Sequence, residues 1–457
     1  MLYRKFEKYI REFLRNETDK ILLVNGARQI GKTYLIRHVG KEMYQNYVEI
    51  NLKEDYEGAG LFAKVRSTAD FYLQLGAMAG QHLGTKSNTL VFLDEIQSYP
   101  HMLTMLKFLN QEGKYTYIAS GSQLGVALSQ TASVPIGSIA IAEMYPLDFE
   151  EFLLAMGCAA TTIDAVGDGF RRKQALNEPL HNYMLRQFRL YLLVGGLPEA
   201  VNKFLENRNI SHVRKVQGDI HALYRIDASQ YDAARKLVIR KVYDMIPSNM
   251  ENRKKRVFVN RIKAEGGHRQ FNDYAEEFEY LTNSGIALAV QAVSNPRFPL
   301  LESENKNLLK LYMNDVGLLT SLLYGNNINA VLNDEVSINL GAVYETVVAQ
   351  ELHAHGFSLH YYDNKQRGEV DFLIDDFETL SVLPIEVKSG RDFTLHSALD
   401  KMVSISDYHI ASAVVLSNER EVREEKGIVY MPIYYTMCFS PFHAEADTDV
   451  VIPEITL

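Results

Sequence analysis

The segment Gly26-Ala27-Arg28-Gln29-Ile30-Gly31-Lys32-Thr33 limits the fold more than any other part of the chain. It follows the apolar run Ile21-Leu-Leu-Val24 and opens a helical pattern. That is the strand–loop–helix context in which the spacing GxxxxGK[ST] wraps backbone N–H groups around phosphates. The helix N-terminus adds positive potential at the same point. Lys32 is placed to reach the β- and γ-phosphates of a nucleotide, and Thr33 to offer its hydroxyl to Mg²⁺. Gly26 to Thr33 and the next residue, Tyr34, form the expected cofactor-binding set. The Lys32 ammonium is expected to stand in solvent in the apo loop.

A second element supports the first. The continuous apolar run Thr89-Leu-Val-Phe-Leu93 reads as a strand buried on both faces, and it ends in Asp94-Glu95. Open α/β sheets bind ligands at the carboxyl ends of their strands. Asp94 is the expected Mg²⁺-shell residue and Glu95 the residue that polarises the attacking water. The run Tyr115 to Ala119 ends in Ser120-Gly121-Ser122, where Ser120 is a γ-phosphate or water contact; Ser120 and Ser122 serve equally well as ordinary turn residues.

Strands alternating with helices over the first 145 residues argue a parallel α/β sheet, preceded by an amphipathic helix in residues 1 to 16. Residues 146–225 read as mostly helical, a lid. Residues 226–325 mix short helices with a hairpin around Ala287 to Leu300, which suggests a winged-helix-like module. Residues 326–457 read as a second α/β domain: a helix from Ser337 to His355, strands at 359–362, 370–374 and 383–387, a helix near 395–405 and a strand at 411–416.

Composition narrows the class. The chain has 457 residues, 47% hydrophobic and 23% charged, as a soluble globular protein of about three domains should. The longest apolar runs fall far short of the roughly 18 to 20 residues needed to span a bilayer, so no membrane partner is expected. Two cysteines give no disulfide framework, and the N-terminus lacks an apolar leader core, which fits the cytoplasm. A net charge of −9 excludes a uniformly basic coat but leaves room for a basic groove. The run Arg253-Lys-Lys-Arg256, with Arg261 and Lys263, reads equally as phosphate contact or as a solvated loop.

With these motifs in place, the sequence resembles prokaryotic AAA+ ATPases that carry a C-terminal restriction-endonuclease-like domain of unknown function. The resemblance rests on Arg28-Gln29, Leu93-Asp-Glu-Ile-Gln97, Ser120-Gly-Ser122 and Pro146-Leu-Asp-Phe-Glu-Glu-Phe152. Gly195-Gly-Leu-Pro198, Asp315-Val-Gly-Leu318 and Gly341-Ala-Val-Tyr-Glu345 extend it. It implies ATP binding and hydrolysis. It covers roughly residues 1 to 390, and one place departs from it: Gly137-Ser138 stands where such proteins carry Gly-Arg, an arginine suited to the γ-phosphate. Arg171 or Arg172 is the expected substitute, and no ring assembly follows from the sequence. An oligomer or a protein partner stays open.

The last domain carries a D…ExK arrangement. Asp371 lies in Gly368-Glu-Val-Asp-Phe-Leu-Ile374, and Glu386 and Lys388 share one strand face because side chains alternate with period two. Asp371, Glu386 and a helical Glu345 are the expected Mg²⁺ ligands, with Glu369 as an additional one. Asp371, Glu386 and Lys388 would act in cleavage, the lysine orienting or deprotonating the metal-activated water. His353 and His355 diverge on a helix and do not suit a metal. Two functional readings follow: an ATP-driven enzyme whose last domain cuts or grips DNA or other nucleic acid, and an ATP-dependent switch whose last domain only binds a partner.

Overall fold

The computed structural model describes residues 1–16, 19–80, 83–122, 124–125, 137–228, 235–251, 257, 271–333, 340–390 and 392–441. The basic run 252–256, with Arg261 and Lys263, and Ser337 lie outside them. The chain forms two compact units: residues 1–163, 186–289 and 310–350 in one, and 164–185, 290–309 and 351–457 in the other.

The first unit is built on five parallel strands: β1 (Ile21–Asn25), β2 (Asn46–Asn51), β3 (Thr89–Asp94), β4 (Thr116–Ser120) and β5 (Ile139–Glu143). Their order is β2-β3-β4-β1-β5. β4 therefore lies between β1, which delivers the glycine loop, and β3, which delivers the acidic pair. Every residue of β1 and β3 is buried, which explains their unbroken apolar runs. Val91, Leu93, Phe71, Leu75, Leu103 and Leu106 belong to the core that covers this sheet. β5 escaped the sequence reading. It pairs only with β1 in the described sheet, and its alternation Ile-Ala-Ile-Ala leaves Ile141 51% exposed, so it carries little apolar signal.

Helices complete this unit at Lys5–Arg15, Lys32–Met43, Thr68–Ala79, Pro100–Glu112, Phe149–Ala155, Pro198–Asn207, Ile210–Asp227 and Val316–Tyr324, among others. Two of the family-like motifs are explained by packing. A Cβ at Gly195 would meet Asp315 Oδ1 at 2.2 Å, and one at Gly196 would meet Leu147 O at 2.0 Å. Asp315 accepts from the Gly196 and Leu318 N–H groups at 2.7 and 3.0 Å, capping the helix Val316–Tyr324. Burial pushes its carboxyl up to about 6, although those N–H groups pull the other way. In the Pro146–Phe152 motif, Asp148 and Glu151 form a capping box. Glu151 also takes the buried Arg4 guanidinium at 3.1 Å, and Arg4 donates to Ile30 O at 3.0 Å. The N-terminal helix is thus tied to the glycine loop.

The second unit holds most of a mixed sheet ordered β12-β13-β11-β10-β9-β8-β6-β7. Its strands are β6 (Ala287–Val293), β7 (Glu304–Met313), β8 (His360–Asn364), β9 (Gly368–Asp376), β10 (Ser381–Val387), β11 (Ala413–Ser417), β12 (Arg423–Glu425) and β13 (Ile428–Pro432). β8, β9 and β10 form an antiparallel meander, the helix Ser397–Val403 follows, and β11 returns parallel to β10. Val370, Leu373, Val382, Leu399, Met402 and Val415 pack its core. β6, the first strand of the expected hairpin, pairs in parallel with β8, and β7 lies at the edge of the same sheet.

Candidate active site

Backbone conformation builds the loop after β1. Gly26 has φ 143° and Gly31 φ 93°, and a Cβ at Gly26 would lie 2.3 Å from Met144 O. Only glycine fits there. Gly31 precedes the helix Lys32–Met43, and among the described residues no side chain caps that helix end. Its first N–H groups are therefore available to an anion.

Lys32 corrects one expectation. It is buried, 6% exposed, not solvated. Its Nζ donates to Gly26 O and Ala27 O, each at 2.7 Å. Burial holds the ammonium down at about 8, while Glu95 and Asp94 push it up and Arg28 pushes it down. The carbonyls of residues 26 and 27 thus give the buried ammonium two oxygen acceptors.

The strand order now has a chemical consequence. Thr33 Oγ1 donates to Asp94 Oδ2 at 2.8 Å, and Ser120 Oγ, from β4, donates to Asp94 Oδ1. The Glu95 N–H also donates to Asp94 Oδ1, at 3.0 Å. Asp94 is buried, and burial raises its carboxyl while the two hydroxyls counter that. A hydroxyl beside a carboxylate is a hard-oxygen donor pair, the chemistry Mg²⁺ selects, so the residues present fit that ion. Glu95 takes a left-handed backbone conformation, φ 53°. Its carboxylate accepts from Gln97 Nε2 and, at 3.3 Å, from Ser122 Oγ. Arg28 donates to Ser122 Oγ at 3.3 Å and pairs with Asp227.

Several of these residues were missed or left open by sequence reasoning. Gln97 was visible only as a member of a family-like motif, and Ser122 was left open as an ordinary turn residue. Asp227 had no local signal at all. An apolar cleft of about 270 Å³ adjoins the loop, lined by Leu2, Ile30, Tyr34, Leu35, Met144 and Pro198 among others. Tyr34, taken from sequence with the loop, is 59% exposed and stands on this cleft.

The C-terminal residues are arranged differently. Glu345 lies on the helix Gly341–Ala354 in the first unit, buried, and accepts from Tyr312 O–H at 3.0 Å. Asp371 on β9 accepts the Val387 N–H at 2.9 Å. Lys388 pairs with Glu386 at 2.8 Å, as two residues on one strand face should. Glu386 is 8% exposed and its neighbours Ile385 and Val387 are buried, so β10 is not an ordinary half-exposed strand. Among the described residues no group of three or more His, Cys, Asp or Glu side chains is arranged to hold a metal ion. Within their own units, Glu345 meets a tyrosine hydroxyl, Asp371 a backbone N–H and Glu386 an ammonium. Arg171 and Arg172, the two expected substitutes, both lie in the second unit, where Arg171 pairs with Asp168 at 2.5 Å.

Comparison with known proteins defines the class. Residues 18–153 match the model of an AAA domain. Residues 185–329 match Domain of unknown function (DUF8612), and residues 340–436 match Domain of unknown function (DUF4143). No curated protein matches the chain. Among solved structures, the Walker-type ATPase paby2304 of Pyrococcus abyssi is 16% identical, with 71% of this chain and 96% of that one covered and a TM-score of 0.44. The Aeropyrum pernix ORC1 protein in complex with DNA is 14% identical, with 73% and 93% covered and a TM-score of 0.30. The Thermotoga maritima RuvB Holliday junction branch migration motor is 16% identical, with 65% and 90% covered and a TM-score of 0.28. At these scores the structural likenesses carry no argument about this chain. The AAA match and the parallel sheet with its glycine loop do: the chain carries an AAA-type P-loop ATPase domain. No described helix is long and apolar enough to cross a membrane.

Proposed function

We propose that the chain binds ATP with Mg²⁺ and hydrolyses it, and that this cycle acts on a C-terminal nuclease-fold domain that binds or cuts nucleic acid. The observation that carries the ATPase reading is the convergence of Thr33, Asp94, Ser120 and Glu95 beside the glycine loop. The N–H groups of residues 26 to 34 bind the phosphates, and Lys32 exchanges its carbonyl partners for phosphate oxygens. Thr33 and Asp94 would hold Mg²⁺, which when bound neutralises charge between the β- and γ-phosphates. Glu95 accepts the proton of the attacking water, oriented by Gln97 and Ser122. The apolar cleft at Tyr34 takes the base. Glu95→Gln tests the assignment: it should retain nucleotide binding and lose turnover, and unchanged hydrolysis by the purified variant would refute the role of Glu95.

For the C-terminal domain, support for the nuclease reading is the Asp371, Glu386 and Lys388 set on two paired central strands. Asp371→Ala should then abolish any Mg²⁺-dependent cleavage of DNA or RNA. One observation favours a second reading, a regulatory switch whose nuclease-fold domain is inactive: each carboxylate is already engaged within the protein. Wild-type protein that binds nucleic acid without cutting it under Mg²⁺ or Mn²⁺ would select that reading.

A further inference from the structure

The ion pair between Arg28 and Asp227 has no part in the account above. Arg28 is the third residue of the glycine loop, and Asp227 ends the helix Ile210–Asp227, 199 positions along the chain. Both belong to the first unit. Asp227 sits where a carboxylate is disfavoured. It is buried, 3% exposed, and burial together with the charge of Glu95 raises its carboxyl, opposed chiefly by Arg28. The C-terminal end of a helix carries negative potential as well. The guanidinium is thus the group that holds this carboxylate in place.

The other neighbours of Arg28 locate it in the nucleotide site. Its Nε donates to Ser122 Oγ at 3.3 Å, and that hydroxyl donates to Glu95 Oε2, also at 3.3 Å. Its charge opposes that of Lys32. Arg28 is therefore joined through Ser122 to the glutamate that meets water, and its charge is felt by the lysine that meets the β- and γ-phosphates. In the proposed nucleotide complex the γ-phosphate lies between Lys32 and Glu95.

We propose that Arg28 is the arginine of this site that binds the γ-phosphate, supplied by the loop itself, and that Asp227 holds it until a nucleoside triphosphate arrives. This rests on the nucleotide reading above and deepens it. A γ-phosphate carries more charge than a carboxylate and takes a guanidinium through two parallel hydrogen bonds. Asp227 then loses its counter-ion and is repelled by Glu95 and by the phosphate. A diphosphate has no γ-phosphate and leaves the pair intact. The last turn of the helix Ile210–Asp227 thereby distinguishes triphosphate from diphosphate. Tyr224, which donates to Arg28 O at 2.9 Å, gives that helix a second tether to the loop.

The test is titration calorimetry of the full chain with Mg²⁺, using ADP and the non-hydrolysable β,γ-imido analogue of ATP, with turnover of ATP measured beside it. Asp227→Asn should tighten the analogue about tenfold, the order of a typical coupling between sites, and leave ADP unchanged. Arg28→Ala should remove the preference for the analogue and lower turnover on the order of 10³-fold, again sparing ADP. Arg28→Lys, which keeps the charge and a partner for Asp227, should recover the preference in part and guards against a loss of folding. A pair that merely anchors the helix would shift both nucleotides equally in both variants, and an unchanged analogue-to-ADP ratio overturns the proposal. Wild-type protein that binds neither nucleotide overturns the nucleotide reading itself, an outcome separable from a wild type that binds while the Arg28 variants keep its preference.

Discussion

The glycine-loop end of the first sheet and the carboxylate-bearing strands of the second differ in how their polar groups are held. Around the loop, Thr33, Asp94, Ser120 and Glu95 are linked directly to one another. On β9 and β10, Asp371 accepts a backbone N–H, and Glu386 pairs through one oxygen with a lysine two residues away. The lesson concerns assembly. Groups at the ends of adjacent parallel strands converge because the sheet forces them to. Acidic residues spread along a meander and a helix converge only if their side chains turn toward one another, and a local donor competes with that.

The largest effect that sharpens this contrast is at the loop. Lys32→Ala should cost about 10²- to 10³-fold or more in turnover, the scale for losing one charge-stabilising donor, measured by phosphate release. Because Lys32 is buried against Gly26 O and Ala27 O, the apo protein should also change stability, which a solvated lysine would not cause.

Next comes the brace beneath the loop. Glu151→Ala leaves Arg4 buried without its carboxylate, and urea denaturation should show a loss of about 3–5 kcal/mol. A loss near zero would mean that the loop does not depend on this anchor.

Asp315 gives a pH test of comparable but smaller size. Its folded pKa, about 6, is raised above the ordinary 3.8, so the folded protein binds the proton more tightly than the unfolded chain. That contribution is fully present below pH about 4 and is lost as pH rises through about 6, amounting to about 3 kcal/mol at roughly 1.4 kcal/mol per unit. Wild-type stability relative to Asp315→Asn should therefore fall between pH 4 and 7. A pH-independent difference would show that the N–H groups of Gly196 and Leu318 fully offset burial.

The smallest effect belongs to the second region. Lys388→Ala removes an ammonium that is 24% exposed from a carboxylate that is 10% exposed, and solvent screening limits the loss to about 1 kcal/mol. A loss as large as that at Glu151 would erase the contrast between the two regions and mark the Glu386–Lys388 pair as a sealed one.

Much of the first region was legible because its signals are contiguous. Gly26 and Gly31 are required by backbone angles, and the buried strands β1 and β3 announce themselves as unbroken apolar runs. β5 was not legible because an edge strand rich in alanine has almost no apolar contrast. The pairing of β6 with β8 was not legible, because pairing between distant strands leaves no mark within either strand's own sequence.

The sequence by itself determined where a phosphate-binding loop forms, which strand ends carry its acidic partners, and that Glu386 and Lys388 share a face. These follow from local rules: glycine conformational freedom, burial on both faces, and the two-residue repeat of a strand. Only the tertiary structure decided that β4 lies between β1 and β3 and so carries Ser120 to Asp94. It alone decided that Lys32 is buried, that Asp227 meets Arg28, and that Tyr312 engages Glu345. Burial and pairing between distant segments depend on which surfaces the chain excludes from water together, and no short stretch of sequence contains that information.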